Sequence, residues 1–397
     1  MAAAAAQEEE VIIVGAGQSG LAVSACLSQR GVKSLILERD DCVGSLWRKR
    51  AYDRLHLHLA KQYCALPHLP HPDSSPTYLP RDAFADYLDA YASRFGARTR
   101  LRREVTSARF DAGERRWVVD AVDLAAGGEV ETYTARFLVV ASGENDERFV
   151  PEVPGIEAFT GAVMHAAEYR SAKGMGGKAV LVVGCGNSGM EIAYDLAVGG
   201  AVTSIVARGE LHLVTKEIWN VAMALHGYHV PAWIIDKLVL LMCAVVFGGD
   251  TARHGLRRPA VGPFTMKLTT PAYPVVDVGT YAKIKSGEIQ VLPTGIKSVH
   301  DGNVVEFADG KRHPFDAIVF ATGYRSSVRR WLKSKDGLIG EDGMAARSYP
   351  EHWKGENGLY CAGMVRRGIY GSYEDGELIA GDISELLRPE KAQGKDN

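Results

Sequence analysis

Two glycine-rich runs carry the first chemical signal in this chain. Gly15-Ala16-Gly17-Gln18-Ser19-Gly20 fits GxGxxG and follows Val11-Ile12-Ile13-Val14, an apolar run of the kind that forms a buried parallel strand. In such a turn the first glycine permits the bend, the second lets a pyrophosphate reach the backbone, and the third allows close helix–strand packing. The phosphates then meet the positive end of the following helix. That helix is predicted through Leu21, Val23, Ala25, Cys26 and Leu27, with Gly31 placed to stop it. A second strand, Ser34-Leu35-Ile36-Leu37, ends at Glu38, where a carboxylate accepts ribose hydroxyls and repels a 2′-phosphate. The device recurs. Ala179-Val180-Leu181-Val182-Val183 leads into Gly184-Cys185-Gly186-Asn187-Ser188-Gly189, then into a helix through Met190, Ile192, Ala193 and Leu196 that ends near Gly199-Gly200. The next strand, Ser204-Ile205-Val206-Ala207, ends at Arg208, in nearly the place that Glu38 holds in the first unit. An arginine there pairs with a 2′-phosphate. An acid in the first unit and an arginine in the second point to FAD first and NADPH second, the arrangement of a flavin-dependent oxidoreductase.

The elements that position these residues read as an α/β fold with two Rossmann-like dinucleotide-binding domains. Two more strands, Phe137-Leu138-Val139-Val140 and Ala317-Ile318-Val319-Phe320, run into Ala141-Ser142-Gly143 and Ala321-Thr322-Gly323-Tyr324, where the chain would cross between domains. Residues from about Pro314 onward, with Gly358-Leu359-Tyr360-Cys361-Ala362-Gly363, would complete the first domain, making it discontinuous. The expected division is 1–165 and 314–397 for FAD, with 166–313 inserted for NADPH. The chain has 397 residues, 46% hydrophobic and 24% charged, which excludes disordered, collagen-like and coiled-coil classes. A net charge of -2 gives no electrostatic case for nucleic acid. The six cysteines form no CxxC pair, no metal-ligand spacing stands out, and the pattern fits reduced thiols in the cytoplasm. The first ten residues lack the pattern of a signal peptide, and the longest apolar run, about 238–247, is half of what a membrane span needs. The surrounding stretch from Pro231 to Gly249 is expected to be a packed or site-covering helix, with peripheral membrane contact as the alternative. The polar end, Pro389 to Asn397, is expected to be frayed.

Between the two units, Phe159, Gly161, His165 and Tyr169 fit FxGxxxHxxxY. With both glycine motifs this resembles the fingerprint of class B flavin monooxygenases. The closer resemblance is to the plant YUCCA enzymes, over nearly the whole chain. Ser45-Leu46-Trp47, Leu57-His58-Leu59, Lys61-Gln62-Tyr63-Cys64, Gly143-Glu144-Asn145, Val276-Asp277-Val278-Gly279-Thr280 and Arg366-Arg367-Gly368 are among the segments that carry it. Ala60, Tyr63 and Ser142 stand where that family usually has proline, phenylalanine and threonine; the Ser142 hydroxyl keeps a hydrogen-bonding group. The resemblance implies that NADPH reduces FAD, that dioxygen adds to give a flavin C4a-peroxide, and that indole-3-pyruvate is oxidatively decarboxylated to indole-3-acetate. It also implies that Leu46, Trp47, Gly143 and Gly363 touch cofactor and that His165 fixes the connection between domains. His58, Lys61 and Asn145 are the candidates for the flavin face, with Lys61 drawing in the substrate carboxylate or stabilising peroxide charge and Asn145 donating a hydrogen bond; Arg366 and Arg367 are alternative carboxylate binders. Competing readings are an N- or S-oxygenating monooxygenase, a dithiol reductase, and a silent nucleotide-binding redox sensor.

Overall fold

The structure, a computed structural model, describes residues 6–270, 272–300 and 302–388; the expected fraying of Pro389 to Asn397 lies outside the described residues. The chain opens with β1 (Gln7–Val14), α1 (Gln18–Gln29) and β2 (Ser34–Leu37). Next come β3 (Thr99–Arg100), β4 (Arg103–Asp111), β5 (Arg116–Asp123) and β6 (Glu129–Val140). A second run comprises β7 (Ala162–His165), β8 (Ala179–Val183), α2 (Asn187–Val198) and β9 (Val202–Val206). Three helices follow, α3 (Lys216–Gly227), α4 (Ala232–Phe247) and α5 (Pro263–Thr269). The last elements used below are β10 (Ile289–Leu292), β11 (Ala317–Phe320), β12 (Leu359–Cys361) and α6 (Gly368–Leu386).

The first sheet has the order β3-β2-β1-β6-β5-β4. β1 lies between β2 and β6 and is parallel to both, with Val11 opposite Ser34 and Phe137. Val11, Ile12 and Ile13 are fully buried, which a strand covered on both faces requires of every side chain rather than of alternate ones. Truncating one, Ile13→Ala, removes a stabilisation of about 2–5 kcal/mol. On its side away from β1, β6 serves two further partners: its first half is antiparallel to β5, and Leu138–Val140 is parallel to β12. α1 is buried from Ser19 to Leu27 because α6, with Ile379, Ala380 and Ile383 in the same core, covers the side that the sheet does not. The late segment β12–α6 is thus built into the first unit.

The second sheet is wholly parallel, in the order β10-β9-β8-β11-β7. The predicted helix residues Met190, Ile192, Ala193 and Leu196 all face its core. Here the expected boundaries need correction. β7 and β11, assigned to the first unit by cuts at 165/166 and 313/314, pair with each other and β11 pairs with β8, so both belong to the second sheet. Apolar four-residue strands look alike in either sheet; only the pairing distinguishes them.

α4 buries Ile235, Val239, Cys243 and Phe247, one helical stripe, and presents Trp233, Leu241 and Val245 to solvent. Asp236 on the same helix is buried and accepts hydrogen bonds from Phe264 N (2.6 Å) and Thr265 N (3.3 Å), so it caps α5 from outside. No helix among the described residues is long and apolar enough to cross a membrane.

Candidate functional site

The two glycine turns are built alike. Gly15 has φ +107°, and a Cβ there would sit 2.5 Å from Ala141 O; a Cβ on Gly20 would sit 2.0 Å from Gly15 O. Gly184 has φ +113° with Ala321 O at 2.4 Å, and Gly189 would meet Gly184 O at 2.0 Å. The outer glycines are therefore demanded by the protein's own backbone. The middle ones are not: a Cβ on Gly17 or Gly186 finds nothing within 4 Å. Both are N-cap residues without a side-chain cap, so the first N–H groups of α1 and α2 face open space with no oxygen to receive them from a cap. That is the cradle a phosphate fills.

At the first turn a cavity of about 350 Å³ runs past Gly15, Gly17, Gln18, Ser19, Glu38, Leu46, Trp47, Gly143, Asn145 and Gly363, which brings ten of the predicted residues to one wall. Ala16 and Gly20 support it from behind. Ala16 N donates to Glu38 Oε2 (2.7 Å), and Asp40 N donates to Oε1 (2.8 Å). Burial raises the Glu38 pKa while these two N–H bonds oppose the rise; the carboxylate still has lone pairs for ribose hydroxyls. Ser142 Oγ, in the same wall, is buried without a hydrogen-bond partner. Such an atom is costly unless a ligand satisfies it. The open phosphate cradle, the acid at the strand end and the orphaned hydroxyl together fit FAD. Gly363 N donates to Asp375 Oδ2 (2.7 Å), and His352 Nε2 lies 2.8 Å from Oδ1, both side chains fully buried. This pair sets the turn after β12 against the cavity.

The second turn carries Gly184, Cys185, Gly186, Asn187, Ser188 and Gly189 at the start of α2. Asn187 Oδ1 accepts from Val276 N (2.8 Å), so its side chain is occupied in holding the strand that ends at Val276. Arg208 stands exposed just past β9.

The three flavin-face candidates separate. Asn145 lines the cavity. His58 Nε2 is 3.4 Å from Glu191 Oε2 on α2, an oxygen that also accepts from Tyr52 OH (2.8 Å), so it sits at the junction between the two units instead. Lys61 gives its three protons to the carbonyls of Pro72, Asp73 and Ser75 at 2.8–2.9 Å, which closes the loop beyond it and leaves none for a substrate. Its place in the structure is that of a loop tie. His165, at the end of β7, accepts from Ala167 N at Nδ1 (3.1 Å) and reaches Gly323 O from Nε2 (3.1 Å). Burial lowers its pKa, in keeping with a neutral ring pinning the turn after β11. Of the arginines, Arg366 pairs with Asp342 (3.0 Å) and Arg367 with Glu374 (2.5 Å).

Sequence reasoning missed a cluster at the cavity edge. Glu144, in the wall, is 3.2 Å from the hydroxyl of Tyr273, which also donates to Arg366 O (2.8 Å); Lys267 of α5 donates to the same carbonyl. Burial raises the Glu144 pKa and brings that of Lys267 down to about 8. Only the acid next to Gly143 was detectable beforehand, because Lys267 and Tyr273 lie in a segment without periodicity. Elsewhere Cys26, His68 and Glu377 bring ligand-type atoms within 4.8 Å of one another. Arg30 already holds Glu377 (2.7 Å), and burial pushes the Cys26 thiol up, so this group reads as a packing contact.

Comparison with known proteins adds to this geometry. The flavin-binding monooxygenase-like family matches residues 8–333. A probable indole-3-pyruvate monooxygenase of Arabidopsis thaliana, YUCCA10, is 48% identical over 380 residues, covering 96% of this chain and 98% of that protein. The indole-3-pyruvate monooxygenase YUCCA4 of Oryza sativa subsp. japonica is 47% identical over 389 residues, with coverage of 95% and 87%. Among solved structures, a flavin-containing monooxygenase from Stenotrophomonas maltophilia superimposes with TM-score 0.70 at 20% identity, covering 96% of this chain and all of that one. A bacillithiol disulfide reductase from Bacillus cereus does so with TM-score 0.69 at 18% identity and the same coverage. Likeness at that identity speaks for the two-unit fold alone.

Proposed function

We propose that this chain, which belongs to the flavin-binding monooxygenase-like family, is an FAD- and NADPH-dependent monooxygenase that turns indole-3-pyruvate into indole-3-acetate. The overall change is indole-3-pyruvate, NADPH, dioxygen and a proton giving indole-3-acetate, carbon dioxide, NADP⁺ and water. The observation that carries the reading is the pair of open phosphate cradles with opposite charge at their strand ends, within a chain nearly half identical, end to end, to indole-3-pyruvate monooxygenases.

A flavin held in the first cavity would supply hydride acceptance from NADPH and the activation of dioxygen. The chain's own residues bind and orient. Gly17 and the N-terminus of α1 take the pyrophosphate, Glu38 takes the ribose, and Ser142 and Asn145 offer polar atoms along the cavity wall. Gly186 and the start of α2 take the nicotinamide dinucleotide, with Arg208 on its 2′-phosphate. His58 and Tyr52 hold Glu191 of α2 and so set the second unit against the first, while Lys61 orders the loop at 72–75. The cytoplasm and a peripheral contact with a membrane surface through the exposed face of α4 belong to the same proposal, supported by Trp233, Leu241 and Val245 in solvent.

The deciding experiment incubates purified, FAD-loaded protein with NADPH, oxygen and indole-3-pyruvate and identifies products by mass spectrometry against an enzyme-free control. Enzyme-dependent indole-3-acetate is expected. NADPH consumption that yields hydrogen peroxide alone would overturn the substrate, and oxygenated amines or sulfides in its place would move the reading to N- or S-oxygenation.

A further inference from the structure

The cavity edge holds a cation without an anion. Lys267 projects from α5, a helix of the inserted unit, toward a carbonyl of the segment that leads into α6. Its ammonium donates one proton to Arg366 O and lies 3.9 Å from the centroid of the Tyr273 ring. Two protons are left. Among the described residues, no carboxylate oxygen lies within ion-pair distance of it; the acid whose charge it feels, Glu144, stands beyond that distance. Asp342 is taken by Arg366 and Glu374 by Arg367. Glu144 faces Tyr273 and, at 3.9 Å, the guanidinium of Arg366. Every other cation of this cluster has its own acid.

A half-buried ammonium without a counter-ion is destabilising, and a fold retains one when something else supplies the charge. The neighbours say where that charge would lie. Glu144 and Gly368 both line the cavity; Arg366 O, two residues before Gly368, is shared by the ammonium and the Tyr273 hydroxyl, and that hydroxyl stands 3.2 Å from Glu144. The ammonium therefore lies behind the wall of the cofactor cavity, at the edge marked by Glu144 and Gly368. A 2-oxo acid brings a carboxylate beside its ketone carbon, and a cation at that edge would receive the carboxylate while the ketone points inward.

We infer that Lys267 is the substrate-carboxylate residue of this enzyme and sets its preference for anionic 2-oxo acids; the inference rests on the monooxygenase reading above. Tyr273 positions the ammonium by its ring and buffers Glu144 by its hydroxyl, so that the acid does not repel the incoming carboxylate. The charged and titratable groups facing Lys267 are Glu144, Tyr273, Arg366 and Arg367. Burial raises Tyr273 further from neutrality and brings Lys267 down to about 8, so the ammonium is a group whose charge changes above neutral pH. Free enzyme loses the ammonium as pH rises through that value, so affinity for the acid falls there.

The test uses the FAD-loaded full chain with indole-3-pyruvate as substrate and its methyl ester, which has no free carboxylate to release as carbon dioxide, as a neutral competitive inhibitor. For Lys267→Met, KM for the acid is expected to rise about ten- to a hundred-fold, the loss of one charge-assisted hydrogen bond, with little change in kcat or in Ki for the ester. Lys267→Arg should recover part of the affinity for the acid. An unchanged ratio of KM for the acid to Ki for the ester in a Met variant that keeps its flavin absorbance would overturn the inference. Should that variant not fold, the wild type decides. KM for the acid must climb above pH 8 while Ki for the ester stays level, and a flat acid profile is the contrary result. A wild type that makes no indole-3-acetate from the acid would instead defeat the monooxygenase reading, so the two failures are distinct.

Discussion

At the scale of single residues, the chemistry of the glycine turns depends on which neighbour each Cα faces. A side chain at Gly20 or Gly189 would strike backbone 2.0 Å away, and the turn itself would have to move. A Cβ at Gly17 or Gly186 would meet nothing within 4 Å and would stand in the space proposed for a phosphate. Gly17→Val should therefore purify folded but without flavin, by its absorbance spectrum. Gly186→Val should retain flavin and lose its reduction by NADPH in stopped-flow traces; reduction at the normal rate would reverse the assignment of the two sites. Arg208→Ala should cut the kcat/KM preference for NADPH over NADH about ten-fold or more, since a charge-assisted contact to the 2′-phosphate is removed. An unchanged ratio would place the phosphate ligand elsewhere.

Elements decide what those residues are held against. α5 has only seven residues, too short to be stable on its own, and it stays folded because Pro263 starts it and Asp236 of α4 takes its first N–H groups. Asp236→Ala leaves those buried donors unpaired. About 1–3 kcal/mol of stability should be lost in denaturant titration, with a raised KM for the acid because α5 carries Lys267. A variant as stable as the wild type would mean that water replaces the carboxylate. α4 itself has two apolar faces, of which one is packed. Replacing Leu241 and Val245 by aspartate touches no core contact and should abolish sedimentation with anionic lipid vesicles, if the wild type shows it; a wild type that never sediments would remove the membrane contact from the proposal.

For the molecule as a whole, the joint between the two units carries a pH dependence. Burial lowers the pKa of His165, which pins β7 to the turn after β11, and likewise those of His71 and His212. Below the unfolded value of about 6.5 the unfolded chain binds protons that the folded chain refuses. Stability is thus full above that value and falls as pH drops beneath it. Thermal unfolding of the flavin-loaded protein at pH 7.5, 6.5 and 5.5 should show Tm level between the first two and lower at the third. A Tm that rises on acidification would contradict neutral, buried rings.

The sequence by itself determined the two nucleotide units, because a strand, three glycines, a helix and a charged strand end are contiguous and each obeys a local steric or electrostatic rule. It also determined that a late segment returns to the first unit, since β12 reads as a strand with a glycine exit and has a place waiting beside β6. What it did not determine rests on contacts between distant segments. β7 and β11 carry no mark of the sheet they join, and only their hydrogen-bonded register assigns them. Lys61 sits in a segment that looks like the cofactor's neighbour, yet three carbonyls eleven to fourteen residues later use up its protons. Tyr273 meets Glu144 across more than 120 residues and carries Lys267 over its ring, and the meaning of that ammonium lies in its having no ion-paired carboxylate among the described residues. Local pattern encodes where the backbone bends; whether a charge is satisfied is a property of the folded whole.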